Sequence, residues 1–269
     1  MIGVLNILYN RPQYYKQVLD GLRPQIHKGI QYFCYIDGPR TPQEKTPVRV
    51  NELLAIDFAK KQFNGTVVVR EKNFGCDLNI MTAVDEVIQF VDSLIIIEED
   101  IVPCKGFMDW MEWGLENLVS TGQCQSVLAF STPPDKNQDP SAYQFANWFT
   151  PWGWATTKDA WNDVFHSWVD VVKEVGIVEA QKKLLDGGKS RHVTYAKDGT
   201  PVNFPGGWDY FCNMTYEKYG LLEAVPKVPR SFNIGQVGFH QDGITKYPEL
   251  EPRECTSNDF DLVKDFHEG

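Results

Sequence analysis

The chain has 269 residues, of which 42% are apolar and 23% charged, and acids outnumber Lys and Arg 36 to 26 for a formal charge of -10. This is the composition of an ordinary globular protein with room for one sizeable core, and the acidic balance argues against a nucleic-acid surface, which needs excess Lys and Arg to meet phosphate. No run reaches the roughly 18 apolar residues that span a bilayer, and "MIGVLNILYNRP" lacks a basic start and a cleavage site, so no membrane anchor or signal peptide is expected.

In chain order the first half alternates. "IGVLNILY" is expected as a strand; "QYYKQVLDGL" sets Tyr15, Val18, Leu19 and Leu22 on one helical face; "IQYFCYID" is a strand again. A polar helical segment follows near 43–62, then the strand "TVVVR", a helix with Ile80, Met81, Val84, Val87, Ile88 and Val91 at helical spacing, and the strand "LIIIEE". A further helix from Lys105 has Phe107, Met111, Leu115 and Leu118 as its buried face, and "SVLAF" reads as the next strand. Strands alternating with helices imply crossovers and a mostly parallel sheet covered on both faces.

Beyond about residue 131 the regularity fades into the turn-rich "STPPDKNQDPSAY", the aromatic "FTPWGWATTKDAW" and a glycine-rich run to "FPGGW", with helical stretches near 158–185 and 209–219. One domain is expected over 1–269: a nucleotide-binding part at 1–130, an acceptor-binding part at 131–250 and a tail at 251–269. The six scattered cysteines (34, 76, 104, 124, 212 and 255), with no CxxC pair, read as reduced thiols of a cytoplasmic protein.

In an open parallel sheet, ligands bind beyond the carboxyl ends of the strands. Here the first strand ends in Asn10 and Arg11, the second in Asp37 and Gly38, and the fourth in Glu98, Glu99 and Asp100. Singly these are a turn and cap, a turn, and a solvated strand end favoured by the following helix's N-terminus. Together they put polar groups from three distant segments on one edge. Adjacent buried carboxylates repel and call for a cation. A nucleotide diphospho-sugar carried with Mg²⁺ or Mn²⁺ fits, because a hard cation bridges diphosphate oxygens to a protein carboxylate and keeps several waters. Arg11 could meet a phosphate oxygen.

The segments "YNRPQYYKQVLDGL", "YIDG", "IIIEEDIVPCKGFMDWM", "FTPWGWATTKDAW", "GGWDYF" and "RSFNIGQVGFH" resemble, in their order, N-acetylglucosaminyltransferase I and its protein-O-mannose relative. They also resemble bacterial sugar transferases with a "WGWATW" and a "WDY" segment. The resemblance spans roughly residues 1–245 and implies an α/β fold of the GT-A type, a Rossmann-like nucleotide-sugar domain.

Carried over by position, it implies that Asp37 reads the base, that Arg11 lies near base or phosphate, and that Asp100 binds metal, while Asn10 is expected on the donor side from its place at the end of the first strand. Glu99 would contact ribose and Glu98 approach the donor sugar, although Glu99 is a methylene longer than the family's Asp. Asp209 matches the base that takes the acceptor hydroxyl's proton, its neighbours Trp208, Tyr210 and Phe211 being placed to desolvate it; the plainer reading is a helix N-cap. Trp152, Trp154 and Trp208 stand as an acceptor-side wall, with plain core as the alternative. Asn73 and Gly75 fall where relatives run a loop across the donor, and His240 could be a late metal ligand.

The expectation is thus a metal-dependent inverting glycosyltransferase moving a hexose-type sugar from a nucleotide diphosphate, UDP favoured, to a hydroxyl of a glycan or glycolipid. The alternatives are a non-catalytic nucleotide-sugar or carbohydrate binding protein and a nucleotide-sugar phosphohydrolase.

Overall fold

The structure is a computed structural model that describes residues 1–62, 65–131, 139–235, 237–238, 241–242 and 266–268. His240, most of the run following Ser131 and most of the 251–269 tail lie outside the described residues.

The first half alternates as expected: β1 (Ile2–Leu8), α1 (Pro12–Leu22), β2 (Ile30–Ile36), a 3-10 turn at Pro42–Glu44, α2 (Lys45–Gln62), β3 (Thr66–Val69), α3 (Cys76–Ile88) and β4 (Ser93–Glu98). Pro12 opens α1, where its missing N–H costs nothing, and Tyr15, Val18, Leu19 and Leu22 are buried along one face. Fully burying such side chains is worth about 1.5–3 kcal/mol each, which orders a helix too short to stand alone. β5 (Ile101–Pro103) and α4 (Phe107–Gly114) follow, the latter prolonged by a π-helical turn at Leu115–Val119, and then β6 (Ser126–Leu128).

The second half is less regular without being loop. It holds β7 (Ala142–Ala146), β8 (Trp154–Thr157), α5 (Lys158–Val164), α6 (His166–Val175) and α7 (Ile177–Leu185). After these come the hairpin strands β9 (Thr194–Tyr195) and β10 (Pro201–Asn203), α8 (Trp208–Tyr219), β11 (Glu223–Pro226) and β12 (Ser231–Asn233).

One sheet of nine described strands draws on both halves, in the order β3-β2-β1-β4-β8-β6-β11-β7 with His267–Glu268 on the outer edge. β3, β2, β1 and β4 are mutually parallel, β8 runs antiparallel between β4 and β6, and β6 and β11 are parallel again. The fold is therefore α/β with a mostly parallel central sheet flanked by helices. Alternation along each strand divides the core: Val4 and Leu8 face one apolar layer with Ile95 and Ile97, while Leu5 and Ile7 face the other with Leu94 and Ile96. Helices α1, α2 and α4 cover the first layer, and α3 and α5 to α8 the second. No helix among the described residues is long and apolar enough to cross a membrane.

Glu223 on β11 is 1% exposed, and its Oε2 accepts a hydrogen bond from Ser126 Oγ at 3.4 Å. Burial pushes this carboxyl well above its ordinary 4.5, the Ser126 hydrogen bond opposing only in part. Below about pH 4.5 folded and unfolded chains both hold the proton; above it only the folded chain does, so this group's contribution to stability falls as pH rises, until the folded value is passed. Glu223→Gln is expected to raise the melting temperature at pH 7 by an amount that vanishes towards pH 4, with a limiting slope of about 1.4 kcal/mol per pH unit, readable in thermal melts across that range.

Candidate active site

Because β1, β2 and β4 are parallel and in register, their carboxyl ends share one edge, where a cleft of about 240 Å³ opens. Tyr9, Asn10 and Arg11 line it from the end of β1, Asp37 and Arg40 from beyond β2, and Glu98, Glu99 and Asp100 from the end of β4. The first turn of α3 adds Cys76 and Asn79, and Gly235 closes the far side. The expected convergence of three strand ends is thus present.

The cation that meets the acidic triplet belongs to the chain itself. Arg11 Nε donates to Glu99 Oε1 at 2.6 Å and its Nη1 lies 2.9 Å from Asp100 Oδ2. Glu99, 3% exposed, also accepts from the Tyr9 backbone N–H at 2.7 Å and from Asn51 Nδ2 at 3.5 Å. It ties β4 to the end of β1 and to α2; the ribose contact implied for it by resemblance competes with these three donors. Burial raises its pKa, Arg11 and the Tyr9 N–H pulling it back.

Glu98 and Asp100 are half-buried and face the cleft. Burial first, then the charge of Asp100, hold the Glu98 carboxyl well above its ordinary range; Arg11 opposes, and Asp209 and Glu99 add to the rise. The Ile234 N–H donates to the Asp100 backbone carbonyl, and Gly235 sits so close that a Cβ there would collide with Asp100 Oδ2. Glycine is needed at 235 to let that carboxylate stand where it does.

Asp37 is buried and saturated. Its Oδ1 accepts from the Phe74 and Gly38 N–H groups at 2.7 and 2.9 Å, and its Oδ2 from Asn73 Nδ2 and the Gly75 N–H at 2.8 and 3.0 Å. Asn73 also donates to the Gly38 carbonyl at 2.7 Å. Asp37 and Asn73 therefore clamp the 73–75 loop across the end of β2, and Gly75, at a φ of 79°, turns the chain into α3.

Asp209, in the first turn of α8, is near enough to the cleft for its charge to act on Glu98 and Cys76, which line it. The first turn of α3 faces the first turn of α8: Asp77 Oδ1 accepts from the Trp208 N–H at 2.8 Å, satisfying an orphan donor of the α8 N-terminus. The cap position of α8 is Gly207, so Asp209 stands inside the first turn and the N-cap reading does not hold. Its charge reaches Glu98, and after desolvation the charges of Glu98, Asp77, Asp209 and Asp100 are what raise the thiol of Cys76 between them.

The tryptophan wall needs correction. Trp154 and Trp208 are 3% and 5% exposed and pack with Phe149 and with each other, Trp154 also against Trp161. Their faces are covered, because alternation along β8 and the first turn of α8 direct them into the apolar layer beneath α3. Trp152 is half-buried, edge-on to Phe130 with ring centroids 4.5 Å apart. Phe211 is fully buried and Tyr210 exposed, and Asp209 between them is half-buried. Conversely, sequence reading passed over Arg40, whose Nε donates to Asn73 Oδ1 at 3.1 Å, and Asn51, fully buried on polar α2. The position of Arg40 after "DGP" was a signal for the first; a polar residue in a polar helix offered none for the second.

Among the described residues no three His, Cys, Asp or Glu side chains are grouped as a ready metal cage. The donor set fits a hard divalent ion in another manner: two carboxylates, Glu98 and Asp100, crowded enough to repel, with room for diphosphate oxygens and waters to complete the shell.

No protein-family model matches the chain, and no curated protein does. Solved structures do align with it. A mannosyltransferase from Pyrobaculum calidifontis, in complex with GDP-Man and Mn2+, is 12% identical over 85% of this chain and 57% of its own, at a TM-score of 0.42. S. aureus TarS 1–349 is 10% identical over 86% and 60%, at 0.46. Glucosyl-3-phosphoglycerate synthase from Mycobacterium tuberculosis, in complex with Mn2+, UDP and glucosyl-3-phosphoglycerate, is 13% identical over 77% and 88%, at 0.42. The chain spans less than two thirds of the length of the first two. Likeness this distant leaves function to be read from the chain's own residues.

Proposed function

We propose that the protein is a GT-A glycosyltransferase of one domain that transfers a sugar from a nucleotide diphosphate to an acceptor hydroxyl with inversion. What supports the reading is that the Glu98–Asp100 cluster lines the cleft at the carboxyl ends of β1, β2 and β4 while Asp209 is near enough for its charge to act on Glu98. These segments are more than a hundred residues apart in the chain, and nothing in the packing of the sheet requires that nearness.

In this reading the nucleoside, with uridine favoured, enters beside Tyr9, Asn10 and the loop that Asp37 and Asn73 hold in place. Arg11 and Arg40 offer the positive charge that the diphosphate needs on the protein side. Glu98 and Asp100 would hold Mn²⁺ or Mg²⁺ brought with the donor. When bound, that ion supplies charge neutralisation to the departing diphosphate. Glu98, whose carboxyl feels the charges of both Asp100 and Asp209, would face the sugar. Asp209 accepts the proton of the acceptor hydroxyl as the oxygen attacks the anomeric carbon from the side opposite the diphosphate, which inverts that centre. The acceptor is a glycan or glycolipid.

Asp100→Asn keeps the size of the side chain and an oxygen for Arg11, and removes the charge. Calorimetric titration with UDP is expected to show that Mn²⁺ strengthens binding to the wild type by at least about tenfold and leaves the variant's affinity unchanged, as ligand-shell losses of this kind do. Equal metal enhancement in both proteins refutes the assignment of Asp100.

A further inference from the structure

Beyond the cleft, on the α8 side, an exposed row of aromatic rings begins next to Asp209. A single point, where a Cβ on Gly207 would stand, is 2.6 Å from Asp209 Oδ1 and 3.8 Å from Tyr210 Cδ2, so the carboxylate and the Tyr210 ring edge are close neighbours. Tyr210 meets His192 at 6.1 Å between centroids, His192 meets Trp148 at 5.0 Å, and the Arg191 guanidinium lies 5.7 Å from the Trp148 ring centre. Trp148 and Tyr210 are 48% and 39% exposed.

These rings are held, not left over. One ridge of α8, at i, i+4 and i+8, carries Asp209, Asn213 and Glu217. Asn213 accepts from the Phe149 N–H at 2.9 Å and donates to the Phe149 carbonyl at 2.8 Å, fixing the backbone beside Trp148. Glu217 accepts from the Arg191 N–H at 3.1 Å and from Ser190 Oγ, fixing the loop that carries His192. Arg191 in turn donates from Nη2 to Asn147 Oδ1 at 3.1 Å and from Nε to His192 Nε2 at 3.3 Å. The helix that positions the candidate base therefore positions the row as well. A tryptophan held in place in this way can be covered by a ligand with little loss of rotamer entropy.

We propose that Trp148, His192 and Tyr210 form the platform for a pyranose ring of the acceptor, whose hydroxyl is thereby presented to Asp209. This rests on the transferase reading and assigns the stacking role to residues other than the buried Trp154 and Trp208. The chemistry fits a sugar because a pyranose offers an apolar C–H face to the rings and hydroxyls at its edge to a planar polar group, which the exposed Arg191 guanidinium supplies at the border of the row.

Saturation-transfer NMR on the full chain, with the methyl pyranosides of glucose, galactose, mannose and N-acetylglucosamine as probes, tests it. At least one glycoside is expected to receive saturation at its ring C–H protons from the wild type. Trp148→Ala and Tyr210→Ala are each expected to weaken that binding by roughly threefold to tenfold, with Trp148→Phe retaining most of it. Unchanged signal in both alanine variants overturns the platform, and so does the lack of transfer to any of the four sugars in the wild type. Because both side chains are exposed, the variants should fold; thermal melts and calorimetry with UDP and Mn²⁺ on the same samples confirm it. Sugar binding that depends on Trp148 in a protein that binds neither UDP nor GDP would sink the transferase reading and leave the platform standing.

Discussion

Asp209→Asn is expected to bind nucleotide with unchanged affinity and to lose transfer by about 10²–10⁴-fold, the usual worth of a positioned general base. Asparagine has the shape of aspartate, and two contacts that hold the first turn of α8, the Asp77 carboxylate on the Trp208 N–H and the Asn213 side chain on the Asp209 carbonyl, do not involve the substituted group. The loss should therefore fall on kcat, with the UDP affinity from calorimetry as the control. Transfer near the wild-type rate would remove Asp209 from the mechanism and with it the inverting displacement.

Arg11→Met is expected to destabilise the fold by about 3–5 kcal/mol, because it leaves Glu99 buried with no cation facing it. Methionine retains most of the apolar stem, so the loss isolates the charge. Arg11, with the Tyr9 N–H, pulls the Glu99 pKa down against burial; without Arg11 the folded chain holds the Glu99 proton to higher pH. An acid whose folded pKa rises costs stability, so the deficit against wild type should grow as pH rises past the wild-type fold's own raised Glu99 value and shrink as pH falls below it. Adding Glu99→Gln to Arg11→Met should restore much of the loss, since the buried charge is then gone as well. Denaturant melts of the two single variants and the double at pH 7 give the coupling, and additivity would show that the pair does not act as a unit.

The first half of the fold is legible in the sequence for a definite reason. β1, β2 and β4 are apolar runs that stop at polar residues, and α1 and α3 carry apolar residues at helical spacing, so pattern and structure agree wherever burial is decided within a single element. β7, β8 and β11 escaped because they are short and because "AYQFA" and "WATT" carry polar or aromatic residues that fit a loop as well as a strand. What makes them strands is the open hydrogen-bonding edge of β4 and its successors, which no local window contains.

The site divides in the same way. That Asp37, Glu98 to Asp100 and Arg11 sit at one edge follows from where parallel strands end, and the sequence by itself determined it. Three things were left to the tertiary structure. The pairing of Arg11 with Glu99 depends on β1 lying beside β4, 88 residues away. The sorting of the tryptophans depends on which face of β8 and α8 meets the apolar layer, because a ring that stacks on a ligand and one that fills a core have the same composition and differ only in what covers them. That the charge of Asp209 acts on Glu98 depends on α8 docking against the first turn of α3, a contact between segments whose separation along the chain carries no record of it.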